Sequence, residues 1–260
     1  MPLPPVMPSL LSFPGQRINL NHAIGNRQHC NKAFNFGKKL PIKATGILIT
    51  LLILLGCQSR PTPFVNLTDE LPEVILDLRY AGSDNFVGSP IDGYEAGKCL
   101  ITHEAAEALE KVQVAARAQG LQLKVFDAYR PQRAVDHFVR WAKDLDDTLM
   151  KARYYPEVKK SELFEKGYIA AKSGHSRGST IDLTLVDEQG IELDMGTGWD
   201  YFGPASWPGS DAVTPEQKDN RMLLRLLMVE HGFKPLKEEW WHFTLKNEPF
   251  PDTYFDIVAE

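Results

Sequence analysis

The sequence KSGHSRGSTIDLTL, residues 172–185, joins a loop rich in glycine and serine to a β-strand. Ile181, Leu183 and Leu185 recur with the period of two that is typical of a strand. Asp182 lies among them, where burial of an uncompensated carboxylate is costly. His175 lies in the loop, seven residues before this aspartate. The pattern therefore predicts a strand whose acidic residue is compensated by another group.

The spacing of these residues restricts where His175 can lie. Residues seven apart in one strand point to opposite faces, so His175 and Asp182 converge only if His175 precedes the strand, with Gly174 and Gly178 supplying the bend. The same parity applies to the sequence EWWH, residues 239–242. Glu239 must therefore lie on a bend or bulge at the strand entry if it and His242 face one pocket.

A metal ion is one way to compensate the charge of Asp182. His175, His242 and Asp182 form a set of three ligands suitable for zinc, with a fourth position left for water. The alternative is that Asp182 pairs with Arg177 or another basic residue, and that His175 is an ordinary loop residue. Spacing alone leaves both interpretations open.

Two more residues are candidates for catalysis. Glu239 has the type and position of a base that takes a proton from a metal-bound water, although a solvated charge beside Lys237 and Glu238 is the alternative. Arg130 follows a predicted strand and precedes a helix, where its guanidinium can face an oxyanion or a substrate carboxylate. The alternative for Arg130 is a surface residue paired with Asp127.

The remaining pattern indicates an α+β fold, with helices packed on an antiparallel sheet. Apolar periodicity and capping residues predict three helices, within residues 102–120, 130–145 and 214–233. Alternation predicts strands within residues 73–82, 121–129, 179–190, 191–194 and 238–245. Residues 194–213 form a long loop rich in Gly, Pro and aromatic residues, and loops of that length are usually functional.

The N-terminal segment has the features of an export signal. Residues 1–57 contain six basic residues and no acidic one, and an apolar stretch of 13 residues runs from Ala44 to Gly56. The stretch ends in LLGC, which resembles a bacterial lipobox in which Cys57 is lipidated. A plain membrane anchor with an incidental cysteine is the alternative. We expect a leader at 1–57, a tether at 58–72 and the catalytic domain at 73–260.

The predicted leader implies a location for the protein, and the charge of the remaining chain argues against nucleic acid as a partner. Lipidation of Cys57 would anchor the chain on the periplasmic side of a membrane, and Gln58 after it favours the outer membrane. Without the leader, 23 basic residues face 34 acidic ones, a net charge of about −11. Such an acidic domain is a poor nucleic-acid binder. Cys99 is the one cysteine beyond the leader, which excludes an intramolecular disulfide and a cysteine-based zinc site there.

Four motifs in this order resemble the zinc D-alanyl-D-alanine dipeptidases of the VanX type. They are DAYRP (127–131), SGHSRGSTIDLTL (173–185), DMGTGWD (194–200) and EWWHF (239–243). The resemblance extends from about residue 70 to 255. It implies the fold that this family shares with D,D-carboxypeptidases and the Hedgehog signalling domain.

The resemblance also implies a role for each matching residue. One Zn²⁺ per chain would be bound by His175, Asp182 and His242. Glu239 would act as general base and then as the acid that protonates the leaving amine, and Arg130 would stabilise the oxyanion. The residues that resemble those holding the ends of the substrate are Tyr80, Ser173 and Asp200.

The expected function is hydrolysis of D-Ala-D-Ala or related small D,D-peptides by an exported, membrane-anchored enzyme. One alternative is a D,D-carboxypeptidase that trims peptidoglycan stem peptides. Another is a zinc-containing binding module without catalysis, and the simplest is an anchored structural lipoprotein. The VanX-type enzymes associated with resistance work in the cytoplasm, so the leader separates this chain from them in location.

Overall fold

A five-stranded sheet forms the centre of the computed structural model, which describes residues 62–259. In spatial order its strands are β2 (Ile75–Leu76), β4 (Gln122–Asp127), β5 (Thr180–Val186), β7 (His242–Leu245) and β6 (Phe233–Pro235). β2 is parallel to β4, and every other neighbouring pair is antiparallel. A second, two-stranded antiparallel sheet pairs β1 (Phe64–Asn66) with β3 (Leu100–Thr102). The predicted α+β class is confirmed, with one parallel pair added to the antiparallel sheet.

Five helices accompany the sheet in the described part of the chain. They are α1 (Leu67–Glu70), α2 (His103–Arg117), α3 (Gln132–Lys143), α4 (Lys151–Tyr154) and α5 (Pro215–Glu230). Two of them, α2 and α5, contact the strands β4 and β6 of the sheet. A capping box begins α5, since Thr214 and Gln217 exchange hydrogen bonds between side chain and backbone. Thr102 precedes α2 but does not cap it, since its hydroxyl lies 2.7 Å from that of Ser179. The three long helices therefore lie where their periodicity predicts them.

Strand β5 lies in the middle of the sheet and is buried along all seven residues. One face carries the apolar residues Ile181, Leu183 and Leu185, which are part of the main core. The opposite face is polar, and Thr180 on it lies 2.9 Å from the hydroxyl of Thr244 in β7. Asp182 belongs to this polar face. The buried acid therefore does not disrupt the core, because it points away from the apolar layer.

Three strand predictions were too long. Residues 191–194 make an isolated bridge between Val186 and Glu192 instead of a strand. The segment 73–82 forms the short β2 and then a 3-10 helix, Arg79–Ala81. The strand predicted from residue 238 begins only at His242, because the preceding residues form a turn in which the amide of Trp240 donates to the carbonyl of Ser206 over 3.1 Å.

The folded part begins within the segment that composition indicated as a tether. β1 and α1 both lie inside residues 58–72. The ring of Phe64 is buried and stacks on that of Tyr129, with 4.4 Å between centroids. This contact was not predictable from the proline-rich composition of the segment.

The predicted leader, residues 1–57 with Cys57, lies outside the described residues. Between residues 62 and 259, no helix combines the length and the apolar character that a membrane span requires. Cys99 is buried as a free thiol, and burial raises the pKa of this thiol well above its usual range. A thiol in this state is a poor nucleophile.

Candidate metal centre

Three side chains from separate parts of the chain converge at one point. His175 lies in a 3-10 helix, Gly174–Arg177, directly before β5. Asp182 is the third residue of β5, and the register of β5 with β7 places it opposite His242. The imidazole Nε2 of His175 lies 3.2 Å from Nδ1 of His242. Oδ1 of Asp182 lies 3.3 Å from the first nitrogen and 3.0 Å from the second.

These distances fit a tetrahedral metal ion. Zinc binds imidazole nitrogen and carboxylate oxygen at about 2.0 to 2.2 Å, so its ligands lie about 3.3 Å from one another. Oδ1 of Asp182 is buried and lacks a hydrogen-bond partner, and such orphaned acceptors are rare in native structures. A cation between the three atoms would satisfy it. The residues therefore fit a divalent metal with nitrogen and oxygen ligands.

The tautomer of His175 is fixed by the backbone. Its Nδ1 donates to the carbonyl of Ala128 over 2.7 Å, and the ring is 1% exposed. The proton on Nδ1 leaves the lone pair of Nε2 directed at the ligand cluster. Such a hydrogen bond from the other ring nitrogen is typical of metal-binding histidines. The expectation that His175 lies on the loop before the strand holds.

Asp182 is ionised in this arrangement. Burial alone would raise the pKa of its carboxyl, but the imidazoles of His175 and His242 lower the pKa below its usual range. Its second oxygen, Oδ2, accepts a hydrogen bond from Nε1 of Trp199 over 3.2 Å. Arg177 pairs with Glu248 instead of with Asp182. The alternative that Asp182 pairs with Arg177 is therefore wrong, and the basic side chain that does approach Asp182 is Arg130, whose Nη2 lies 3.9 Å from Oδ2.

Glu239 lies in the turn before β7, the bend that its parity with His242 requires. Its Oε2 is 3.5 Å from Nδ1 of His242, and its side chain is 23% exposed. Burial raises the pKa of Glu239 to about 7, and the negative charges of Asp182 and Glu238 add to this effect. A carboxyl with a pKa near neutrality can both accept and return a proton at physiological pH.

Arg130 is held rigidly at the end of β4. Its Nε and Nη2 donate to Oδ2 of Asp127 over 3.0 and 2.8 Å. The hydroxyl of Tyr94 donates to the other oxygen of Asp127 over 2.6 Å. The guanidinium lies 5.1 Å from the ring centroid of Tyr80 and 5.2 Å from that of Phe138. The pairing with Asp127 is present, but Arg130 is mostly buried and faces a cavity instead of the surface.

All eight described residues that the sequence suggested line one cavity of about 270 Å³. This volume lies at the lower end of ligand pockets, which suits a small ligand. The eight are Tyr80, Arg130, Ser173, His175, Asp182, Asp200, Glu239 and His242. The ninth suggested residue, Cys57, lies outside the described part of the chain.

The long loop 194–213 contributes less of the cavity wall than its length suggested. From this loop only Asp200 and Phe202 line the cavity. Much of the remaining wall comes from residues 167–170 and Lys172, for which the sequence predicted no helix or strand, and from Ser173 and Gly174 in the predicted loop before β5. The long loop therefore forms only a small part of the cavity wall.

Asp200 and Tyr80 form a buried pair at one side of the cavity. The hydroxyl of Tyr80 donates to Oδ2 of Asp200 over 2.5 Å. Burial raises the pKa of the Asp200 carboxyl well above its usual range, and the nearby charge of Asp182 adds to this effect. Asp200 has a φ of +58°, a left-handed conformation that is uncommon outside glycine. Such strain is typical of functional sites.

Two residues that contact this centre were not predicted from the sequence. Trp199 contacts the ligand Asp182, and Tyr94 supports the pair of Asp127 and Arg130. The available signal for Trp199 was its position beside Asp200 in the motif DMGTGWD. Tyr94 lies in a loop of 18 residues between the 3-10 helix and β3, and nothing in its neighbourhood marks it.

Comparison with known proteins places this chain beside D-alanyl-D-alanine dipeptidases. A family model described as D-Ala-D-Ala dipeptidase matches residues 60–260. A D-alanyl-D-alanine dipeptidase of Enterococcus faecalis is 43% identical over 197 residues, covering 75% of this chain and 98% of that protein. One of Streptomyces coelicolor is 47% identical over 191 residues, covering 73% and 95%. A crystal structure of the D,D-pentapeptidase VanY with Zn(II) aligns with a TM-score of 0.36 and 15% identity, over 58% of this chain and 76% of that one.

Proposed function

The chain belongs to the D-Ala-D-Ala dipeptidase family of metallopeptidases, and we propose that it is a zinc enzyme that hydrolyses the free dipeptide D-alanyl-D-alanine to D-alanine. The observation that carries this proposal is one small cavity that contains a three-ligand cluster, a carboxyl and a guanidinium. The substrate is taken from the names of the similar proteins, which this chain matches over nearly their full length.

Zinc would be held by His175, Asp182 and His242, one ion per chain. Two imidazoles and one carboxylate form a donor set that zinc favours in catalytic sites. When bound, the ion supplies Lewis-acid chemistry, because it lowers the pKa of a bound water and polarises the scissile carbonyl. Since the fixed tautomer of His175 and the ionised Asp182 need no rearrangement, the site is prepared for the ion.

Glu239 moves the protons of the reaction. Its Oε2 lies beside the ligand cluster, where it accepts a proton from the attacking water. It then donates this proton to the nitrogen of the departing D-alanine. Burial raises the pKa of Glu239, and a raised pKa makes the return of the proton to the leaving amine easier.

Arg130 stabilises the negative charge that develops on the carbonyl oxygen. Asp127 and Tyr94 hold the guanidinium in place before the substrate arrives. A preorganised donor of this kind costs little reorganisation during the reaction, and its interaction is strengthened in a site that excludes water. Asp200, with its partner Tyr80, would bind the ammonium group of the dipeptide, whose positive charge would favour the ionised carboxylate against the burial that raises its pKa. Ser173 would contact the other end of the dipeptide.

Arg130→Ala is expected to lower kcat for D-Ala-D-Ala by about 10²- to 10³-fold, the cost of losing one oxyanion donor. KM should change much less, because the interaction forms in the transition state. The matched control is Arg133→Ala, since Arg133 pairs with Asp256 and does not line the cavity. Steady-state kinetics of both variants check this, and an unchanged kcat in Arg130→Ala would contradict the assigned role.

The decisive test of the function is the turnover of two substrates by the purified protein. We expect hydrolysis of free D-Ala-D-Ala to exceed that of a stem pentapeptide ending in D-Ala-D-Ala. A chelator should abolish the activity, and added zinc should restore it. Preference for the pentapeptide would instead identify a D,D-carboxypeptidase, and stoichiometric zinc without turnover of either substrate would identify a binding module.

We further propose that the protein acts on the periplasmic side of a membrane, anchored by a lipid on Cys57. The support is the sequence alone: a basic flank, the apolar stretch from Ala44 to Gly56 and the LLGC ending. Cys57→Ser is expected to prevent lipidation and to reduce recovery of the protein in the membrane fraction. For the wild type, Gln58 after the lipidated cysteine favours the outer membrane over the inner one. Recovery of the wild type in the cytoplasmic fraction would refute this location.

A further inference from the structure

Trp199 contacts the ligand cluster from outside the cavity. Its indole Nε1 donates to Oδ2 of Asp182 over 3.2 Å. The indole is 2% exposed and does not line the cavity. Trp199 therefore lies behind the cavity wall, and its indole hydrogen bond acts on the ligand cluster through Asp182.

The indole is held firmly, so its N–H has a fixed direction. Its ring lies 4.8 Å from that of Tyr80 and stacks on Phe126 at 5.6 Å between centroids. Packing on these two faces restricts rotation of the indole. Because the indole N–H cannot turn, its hydrogen bond sets the orientation of the carboxylate that accepts it.

This hydrogen bond distinguishes the two oxygens of the Asp182 carboxylate. Oδ2 is engaged by the indole, and Nη2 of Arg130 also approaches it at 3.9 Å. Oδ1 has no hydrogen-bond partner and lies 3.0 and 3.3 Å from the two imidazole nitrogens. Without the indole, the carboxylate is free to turn and present either oxygen. The contact therefore selects Oδ1 as the ligand atom.

We propose that Trp199 is a positioning residue of the metal centre, which fixes Asp182 as a ligand through Oδ1 alone. The inference rests on the proposed zinc site. Hydrogen bonds to ligating side chains typically contribute 10- to 100-fold to metal affinity. Because Trp199 directly precedes Asp200, the same contact joins the segment that would bind the substrate to the segment that binds the ion.

The test is the zinc affinity of Trp199→Phe. Phenylalanine keeps an aromatic ring in the same packing site but has no donor for Oδ2. We expect its zinc dissociation constant, measured in competition with a chelator of known affinity, to rise about 10- to 100-fold. The measurement needs no substrate, so it reports on the metal centre independently of catalysis.

Trp240→Phe is the matched control. Trp240 is equally buried, and its Nε1 donates over 3.0 Å to the hydroxyl of Thr197, which is not a ligand. The zinc affinity of this variant should stay within about threefold of the wild type, because the hydrogen bond that it loses is to a hydroxyl that does not bind the ion. Equal weakening in both variants would overturn the proposal, since a general loss of packing would then explain the result.

A second replacement tests the hydrogen bond without making the side chain smaller, as Trp199→Phe does. Incorporation of 3-benzothienylalanine at position 199 keeps the shape of the two fused rings and replaces the N–H by sulfur. The same loss of zinc affinity is expected, with thermal unfolding of the metal-free protein close to that of the wild type. Wild-type zinc affinity in this variant would overturn the role of Trp199 but would leave the proposed function standing. A wild-type protein that binds no zinc would overturn the proposed function as well.

Discussion

Glu239→Gln is expected to lower kcat for D-Ala-D-Ala by about 10²- to 10⁴-fold, the usual contribution of a general acid–base residue. Glutamine has nearly the same size as glutamate and keeps an acceptor oxygen, but its amide neither takes a proton from water nor returns one to the leaving amine. The ligand cluster should remain intact, because Glu239 approaches His242 only at 3.5 Å. Zinc content and KM should therefore be close to those of the wild type.

The control for this prediction is the neighbouring Glu238→Gln. Glu238 carries the same charge in the same turn but does not line the cavity. Its kcat should fall by less than about threefold, since it acts only through its distant charge. If Glu239→Gln retained most of the activity, or lost its zinc, the assignment of Glu239 as the proton carrier would be incorrect.

Asp182→Asn is expected to weaken zinc binding by more than roughly 100-fold, the largest usual effect of losing a hydrogen bond to a ligating side chain. The substitution removes the one charged ligand of the cluster and puts a neutral amide beside two imidazoles. The protein should then be purified largely without zinc, with hydrolysis near the level of the uncatalysed reaction. Metal analysis after gel filtration, together with the turnover of D-Ala-D-Ala, measures both effects.

Asp187→Asn provides the comparison for that loss. Asp187 follows β5 and accepts hydrogen bonds from the amides of Gln189 and Ile191 in a turn. Asparagine keeps these acceptor contacts, so the zinc content should be that of the wild type. A zinc-loaded, active Asp182→Asn protein would show that the ion is held elsewhere, and the proposed site would have to be abandoned.

Local spacing identified the candidate ligands one by one, but it left the metal interpretation open. The family resemblance is what selected His175, Asp182 and His242 as one ligand set. A histidine in a glycine-rich loop, an aspartate in the following strand and a second histidine at a strand start each follow from short-range spacing. The parity of β-strands then fixed where His175 and Glu239 must lie relative to their strands, and both lie there. The long helices were predictable for a similar reason, since periodicity and capping are written within one segment.

Contacts between distant segments were not predictable. Tyr94 and Asp127 are 33 residues apart, and their bond depends on the path of a loop without regular periodicity. The loop 194–213 is placed by Arg221, whose guanidinium donates to the carbonyls of Met195, Ala205 and Trp207. Backbone acceptors of this kind carry no residue signature. The amount of cavity wall that the loop supplies therefore became apparent only in three dimensions.

The solitary buried thiol described above has a consequence for where this domain can work. Cys99 is the one cysteine within residues 62–259, and it is free and enclosed. Folding of the domain thus requires neither an oxidant nor a disulfide isomerase, and glutathione has no disulfide to reduce in it. The redox potential of a compartment is immaterial to its folding. Gain or loss of a leader would then relocate the enzyme across a membrane without any redesign of its interior.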